Sequence, residues 1–298
     1  MESNKINSYI KIACKIEKQL GCKIYIVGGY VRDRILKLKS VDLDFVVEGD
    51  GLQVADFFHK KLGGKLTVHK KFLTASLKLD NGFVIDIATA RTETYPFPAS
   101  MPVVQPAKLE KDLFRRDFTI NAMALPITNY KLSPQFSSKT RRGDFQQITN
   151  LIDPAGGCDD SKNKLVRVLH KNSFTDDPTR ILRAIRYANR LNFKIEKNTE
   201  KWMMDAIKKN LLSLVSAPRI RDEFIKTLEE KNAKKMLTEF KKRKILKYID
   251  NKTPRLSVGL ISKRKESVKT RLNKLLKNFT DEQKKSFLKK LCLPSKIS

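Results

Sequence analysis

Residues 24–47 read IYIVGGYVRDRILKLKSVDLDFVV, and this stretch decides the fold. Ile24–Val27 is a β-branched run that stops on Gly28-Gly29, the pattern of a strand entering a tight turn. Val31, Ile35 and Leu38 then recur at helical spacing. From Val41 apolar and acidic residues alternate, which predicts a second strand. Strand, glycine turn, helix and strand in this order open an α/β domain. Asp42 and Asp44 stand two apart in the second strand, so both carboxylates leave one face. Side by side they repel unless a cation separates them, and a hard divalent cation such as Mg²⁺ takes oxygen ligands of this kind. An exposed strand also carries such pairs without any metal. Gly28, Gly29 and Arg32 frame the turn with free N–H groups and a fixed positive charge, which suits a phosphate, although glycines that serve only a positive φ would look the same. The spacing is not GxGxxG, which disfavours a dinucleotide fold.

Outward from this stretch, residues 5–20 alternate as an amphipathic helix and LQVADFFHKKL, residues 52–62, reads as another. Residues 66–90 read as a hairpin closed near Asn81-Gly82. Asp86 falls mid-strand among apolar residues, where an unpaired charge is costly; it is a candidate third carboxylate, and a cap or salt bridge would account for it nearly as well. The proline-rich segment from Tyr95 to Gln105 is expected to be a loop. Residues 113–124 resume helical spacing, and within them Arg115, Arg116, Asp117 and Asn121 crowd polar groups against an apolar helix start, as a ligand wall does. Asp153-Pro154-Ala155-Gly156-Gly157 punctuates the chain; beyond it no strand is expected, and from about residue 165 the pattern is helical. A helix from Asp177 to Leu191, capped by Thr175 or Asp176 with Pro178 in its first turn, carries Arg180, Arg183, Arg186 and Arg190 along one side. A solvated basic stripe is the alternative reading of those arginines.

The 298 residues carry 62 Lys and Arg against 32 Asp and Glu, a formal charge of +30. Among the last 68 residues, 22 are basic and 5 acidic, so the C-terminal amphipathic helices present a positive face to a polyanion or simply to solvent; an anionic membrane surface ranks last. No run approaches the roughly 18 to 20 apolar residues of a membrane helix, and the N-terminus lacks an apolar signal core. A soluble cytoplasmic protein is therefore expected. Cys14, Cys22, Cys158 and Cys292 are scattered and read as free thiols.

GGYVRD with DLD ten residues on, RRDFTINAMA, DPAGG, DDPTRILRAIRYA and PRIRDEFIKTL occur in an order and spacing that resemble the five motifs of the class II tRNA nucleotidyltransferases, a family that includes CCA-adding enzymes, CC-adding and A-adding relatives and bacterial poly(A) polymerases. The resemblance spans roughly residues 24–230. It implies an α/β nucleotidyltransferase head followed by an all-α neck, body and tail, here 1–152 for the head, 153–230 for the base-recognising neck and 231–298 for a basic, RNA-binding body and tail. It implies Mg²⁺ on Asp42 and Asp44; Asp86, from its mid-strand place, is counted beside them as a candidate catalytic carboxylate. It also implies nucleotide contacts from Gly29, Arg32, Arg116, Asp177, Arg180, Arg183 and Arg186, to which the glycine turn and the polar wall add Gly28 and Asn121 as candidates. Asp176-Asp177 stands where many relatives have Glu-Asp, and Pro218-Arg219-Ile220 where they have Glu-Arg-Ile. The segment 126–150 looks longer than usual.

Two metals on Asp42 and Asp44 would activate an RNA 3′-hydroxyl and stabilise the leaving pyrophosphate, with no protein base needed. Cytosine and adenine both offer an exocyclic amine beside a ring-nitrogen acceptor, whereas guanine and uracil offer a carbonyl beside an N–H. Asp177 accepting from the amine and Arg180 donating to the ring nitrogen would therefore take CTP and ATP and reject the others. The expected activity is CCA addition to tRNA 3′ ends from CTP and ATP. A partial CC- or A-adder, a poly(A) polymerase, or a non-catalytic RNA-binding module remains the alternative.

Overall fold

The computed structural model describes residues 2–38, 42–129, 150–249, 256–261 and 266–291. The chain packs as two compact units: residues 1–94 with 102–163, and residues 95–101 with 164–298.

The first unit is built on a mixed sheet. Helix α1 (Glu2–Leu20) leads into β1 (Lys23–Val27), α2 (Gly29–Ile35), β2 (Leu43–Glu48), α3 (Gly51–Leu62), β3 (Lys65–His69), β4 (Thr74–Lys78), β5 (Val84–Thr89), β6 (Arg91–Thr94), β7 (Val103–Pro106), α4 (Leu109–Phe114), β8 (Ala124–Pro126) and α5 (Gly157–Lys162). The six-stranded sheet runs β3-β4-β5-β2-β1-β8. Only β2 and β5 are parallel; the other pairs are antiparallel. Alternation sorts each strand. Ile24 and Ile26 of β1, Phe45 and Val47 of β2 and Ile85 and Ile87 of β5 are buried with Ile6, Ile10, Val54 and Phe58 of α1 and α3, and the rings of Phe45 and Phe58 stack with centroids 5.5 Å apart. Asp50 starts α3 by accepting from the backbone N–H groups of Leu52 and Gln53.

Several expectations are corrected here. The β4–β5 hairpin closes through Gly82 as expected, with φ at 80°, but a further antiparallel strand, β3, precedes it. The proline-rich segment is not all loop: Val103–Pro106 pairs with β6 as a two-stranded ribbon, Pro106 being the last residue of its short strand, where the missing N–H costs little. Residues 113–124 are not one helix. Helix α4 ends at Phe114, a 3-10 turn spans Thr119–Asn121, and the chain then enters β8. The segment 130–149, most of the stretch that looks long, lies outside the described residues.

The second unit contains β9 (Leu165–Val166), α6 (Ser173–Asp176), α7 (Thr179–Leu191), β10 (Lys194–Ile195), α8 (Lys197–Lys208), α9 (Ala217–Glu229), α10 (Ala233–Lys242), α11 (Leu246–Ile249), α12 (Val268–Leu275) and α13 (Asp281–Lys290). It is helical, as expected, apart from the short parallel pair β9–β10, which two-residue strands leave no periodicity to announce. Ile181, Leu182 and Ile185 of α7 are buried, as are Phe224 and Leu228 of α9. Among the described residues no helix is long and apolar enough to cross a membrane. Cys14, Cys22 and Cys158 are free thiols, and Cys292 lies outside the described residues.

Candidate active site

Four strands of the first unit bring their side chains into one row. Val27 registers with Asp44, Asp44 with Asp86, and Asp86 with Ser76. Asp44 and Asp86 are thus neighbours on the sheet face opposite the α1–α3 core, an arrangement that like charges disfavour. The Asp44 carboxyl is pushed up to about 6 by burial and by the charges of Asp86 and Asp42, against which Arg116 and Arg32 pull it down. Asp86 is exposed rather than buried, so the cost of a buried charge does not explain it; it accepts a hydrogen bond from the Ser76 hydroxyl. Asp42 is exposed and lies one residue before β2, not within it.

Gly28 caps α2 with φ at 69°. A Cβ there would stand 3.2 Å from Oδ2 of Asp44 and 3.4 Å from Nη1 of Arg116, so the absent side chain keeps a gap between a carboxylate and a guanidinium. Gly29 follows as the first residue of α2. Arg32 is 2% exposed; its Nε and Nη2 bind Asp33, and its Nη1 donates to Oδ1 of Asn121 over 2.6 Å. Asn121 in turn donates to Asp117. These residues are held by one another within the wall expected from RRDFTIN.

Arg116 depends on a residue that the sequence reading passed over. Asp112 is fully buried and binds Arg115 through Oδ1 and Arg116 through Oδ2, at 2.6 Å and 3.0 Å. Burial alone would raise its carboxyl, but Arg116 and Arg115 hold it below the ordinary range. Glu93 takes the other side of Arg115. The signal was present in the spacing, since Asp112 lies three and four residues before Arg115 and Arg116.

DPAGG serves the fold. Asp153 accepts from the N–H groups of Gly157 and Cys158 at the start of α5, and a Cβ on Gly157 would lie 2.2 Å from the Thr119 carbonyl oxygen, so only glycine permits this approach.

In the second unit Asp177 sits between α6 and α7 with extended backbone. Its Oδ1 accepts from the N–H and hydroxyl of Thr179 and from Nη2 of Arg219 on α9. Asp177 thus serves the first turn of α7, where Thr175 or Asp176 was expected; Pro178, the residue before the helix, gives no side-chain cap. Arg180 is buried and donates to Ser173. Arg183 and Arg186 meet Glu223 of α9 at 3.2 Å and 2.9 Å, so these two are not a solvated stripe. Glu223, 6% exposed, was also missed by the sequence reading; burial would raise its carboxyl, and Arg183, Arg186 and Lys226 keep it lowered. The guanidinium of Arg219 reaches the Ala99 carbonyl as well, and the N–H of Ala99 donates to Thr175. The segment 95–101 is thereby tied to the element that carries Asp177.

Residues 24–167 match the model of the poly(A) polymerase head domain, and residues 192–251 that of the probable RNA and SrmB-binding site of polymerase A. The chain is 40% identical over 227 residues to an A-adding tRNA nucleotidyltransferase of Aquifex aeolicus, an alignment that takes in 76% of this chain and 26% of the relative. A solved CCA-adding enzyme in an apo form is 38% identical, with a TM-score of 0.73 over 98% of this chain and 69% of that one. The Thermotoga maritima CCA-adding enzyme complexed with tRNA is 36% identical, with a TM-score of 0.71 over 98% of this chain and 68% of that one. A mixed-sheet α/β part followed in the chain by helices matches the fold of the CCA-adding enzyme structures and defines a nucleotidyltransferase fold. The chain belongs to the tRNA nucleotidyltransferase and poly(A) polymerase family. It spans about a quarter of the length of the Aquifex aeolicus relative.

Among the described residues no group of three or more His, Cys, Asp or Glu forms a ready cage for a metal ion. The family generally uses a divalent metal, and the site suits one that is only partly held by protein. Magnesium keeps several waters and binds through one or two carboxylates plus substrate phosphates. The negative charge that raises Asp44 is what such a cation would neutralise.

Proposed function

We propose that this chain is a cytoplasmic, template-independent nucleotidyltransferase that adds C, C and A from CTP and ATP to the 3′ end of tRNA, with Mg²⁺ held by Asp42 and Asp44. The observation that carries the reading is the placement of Asp44 between Asp86 and Asp42 in charge and across Gly28 from Arg116. It supplies carboxylates for a cation and a guanidinium for a phosphate around a gap that no side chain fills. Bound there, Mg²⁺ supplies Lewis-acid activation of the RNA 3′-hydroxyl and neutralises charge on the leaving pyrophosphate.

The residues of the chain bind and orient. Arg116, braced by Asp112, donates to the triphosphate, and Arg32 with Asn121 shapes the wall beside it. Gly28 and Gly29 leave room for the approach. Asp86 keeps the Asp44 carboxyl poised to exchange a proton for a cation. To Asp177 and Arg180 we assign base selection: with its three hydrogen bonds converging on Oδ1, Asp177 turns Oδ2 to the exocyclic amine, and Arg180 donates to the ring nitrogen. A guanine or uracil would set a carbonyl against the Asp177 carboxylate and an N–H against the Arg180 guanidinium, a mismatch of acceptor to acceptor and donor to donor. Arg183 and Arg186 hold phosphates. In this division residues 1–152 catalyse, 153–230 select the base and 231–298 bind RNA.

One observation favours a second reading within the same chemistry. The relatives at 40%, 34% and 35% identity are named A-adding tRNA nucleotidyltransferases, which points to addition of the terminal A alone. Incubation with Mg²⁺, each labelled nucleoside triphosphate and tRNA transcripts ending before CCA, after the first C and after CC decides. Two C and one A followed by a stop supports CCA addition. A alone on the CC-ended transcript supports the second reading. C alone or a long A tract names the CC-adding or poly(A)-forming sibling, and no incorporation anywhere leaves a binding module.

A further inference from the structure

Helix α12 lies in the basic C-terminal region to which the sequence motifs assign nothing, yet one of its cations is not on the surface. Arg271 is 1% exposed and heads the fully buried side chains by size. A guanidinium is tolerated in an interior only where acceptors meet it. Its Nη1 donates to the backbone carbonyls of Leu228 and Glu230, at the C-terminal end of α9. The last carbonyls of a helix have no partner within it, and the helix dipole is negative there. Arg271 is therefore a cationic cap delivered to α9 from another helix.

What it caps is connected to α7. The carboxylate of Glu230 lies 3.7 Å from Nη1 of Arg186 and 3.9 Å from Nη1 of Arg190. Upstream on the same helix, Glu223 holds Arg183 and Arg186, and Arg219 holds Asp177. A path thus runs from the buried Arg271 of α12 through the end of α9 to the arginines of α7, of which Arg186 is buried, with each contact a hydrogen bond or ion pair between named atoms.

We infer that Arg271 is a positioning residue for nucleotide binding: by fixing the end of α9 it sets Glu230 and Glu223, and through them the arginines of α7. The inference rests on the reading that Asp177, Arg180 and the α7 arginines take the nucleotide. It gives part of the basic C-terminal region a task other than touching RNA, since a residue with 1% exposure cannot reach a polyanion.

The test is equilibrium binding of Mg²⁺-ATP and, separately, of tRNA to the full chain. The proteins compared are the wild type, Arg271→Met, Arg271→Lys, Glu230→Gln and the Arg271→Met/Glu230→Gln double variant, with Phe287→Leu on α13 as a control that loosens the same unit. Arg271→Met is expected to weaken ATP binding about tenfold, the usual size of coupling between linked sites, with tRNA affinity changed less than about twofold. Arg271→Lys recovers part of the loss. Glu230→Gln loses a similar factor, and the double variant loses no more than its worse parent, as residues acting in one path do. Phe287→Leu, at a comparable drop in Tm, leaves ATP affinity in place.

Unchanged ATP affinity in Arg271→Met, an equal loss in Phe287→Leu, additive losses in the double variant, or a parallel fall in tRNA affinity would each overturn the inference. Should Arg271→Met fail to fold, Arg271→Lys and Glu230→Gln carry the same measurement. A wild type that binds ATP but adds no nucleotide to any tRNA overturns the proposed reaction while the titrations still decide the role of Arg271. A wild type that does not bind ATP overturns both.

Discussion

Nη2 of Arg219 lies 2.7 Å from Oδ1 of Asp177, the same oxygen that holds the N–H and the hydroxyl of Thr179. Three donors on one oxygen fix the rotation of the carboxylate. A group that must tell an amine from a carbonyl needs that fixity, because a freely turning carboxylate can adjust to the wrong partner. Arg219→Ala is expected to lower kcat/KM for ATP by about ten- to a hundredfold. It should lower discrimination against GTP and UTP more than it lowers tRNA affinity. Competition between labelled ATP and GTP on a CC-ended transcript checks this, and unchanged discrimination would remove Arg219 from the selection of the base.

If the acidic row on the sheet takes Mg²⁺ as proposed, that binding is expected to depend on pH. Burial, and then the charges of Asp86 and Asp42, push the Asp44 carboxyl up to about 6 from its ordinary value of 3.8. The stability linked to its proton is therefore fully present below about 4 and lost as the pH rises through 6. A cation must displace that proton, so the rise in Tm caused by Mg²⁺ is expected to be small at pH 5 and to reach a plateau above pH 7. In Asp86→Asn the neighbouring charge is gone, and the midpoint of this dependence should move to lower pH. Thermal melts with and without Mg²⁺ between pH 5 and 8 measure both, and a dependence that is flat across this range would refute the assignment.

Asp44→Asn removes a proposed metal ligand while nearly keeping the shape of the side chain. Nucleotide incorporation should fall by at least about a thousandfold, with tRNA binding unchanged or slightly stronger because a negative charge near the phosphates is lost. Gel-shift titration beside the incorporation assay separates this outcome from unfolding, which would abolish both.

Glu223 is the shared partner of Arg183 and Arg186. Glu223→Gln leaves two guanidinium groups facing each other, one of them almost buried, and breaking a buried cluster by removing one partner costs about 3 to 5 kcal/mol. Denaturant unfolding should show that loss at pH 7. Because the folded-state carboxyl is held below its ordinary value of 4.5, the wild type has this contribution above about pH 4.5 and loses it as the pH falls further. The gap between wild type and variant should therefore narrow in acid. A constant gap would show that the charge of Glu223 contributes nothing.

Asp112→Asn is expected to act on the nucleotide rather than on the RNA. It removes the charge that holds Arg115 and Arg116 and frees Arg116 to move off the gap beside Gly28. KM for the nucleoside triphosphate should rise about tenfold or more with tRNA affinity unchanged. Steady-state kinetics with each substrate varied in turn will show it, and a rise confined to the KM for tRNA would contradict the role given to Arg116.

The sequence by itself determined the elements whose signals are local. The β-branched run ending on Gly28-Gly29 gave strand and turn, the alternation around Asp44 gave the next strand, and Asn81-Gly82 gave the hairpin. The amphipathic spacing of Ile181, Leu182 and Ile185 gave the buried side of α7. Each of these patterns is read within a few residues, at the period of the backbone itself. Tertiary structure alone decided which side chains face one another. That Asp44 registers with Asp86 follows from a parallel pairing across more than 40 residues of chain. That Asp177 answers to Arg219, and Arg186 to Glu223 and Glu230, follows from the packing of α7 on α9. The helical unit also takes residues 95–101 from the middle of the head sequence, where the prolines announced a loop and could not announce its destination. Local periodicity sets the conformation of a segment, but the partner of a charge is chosen by distance in space, and four arginines along one helix carry no mark of the carboxylates that meet them.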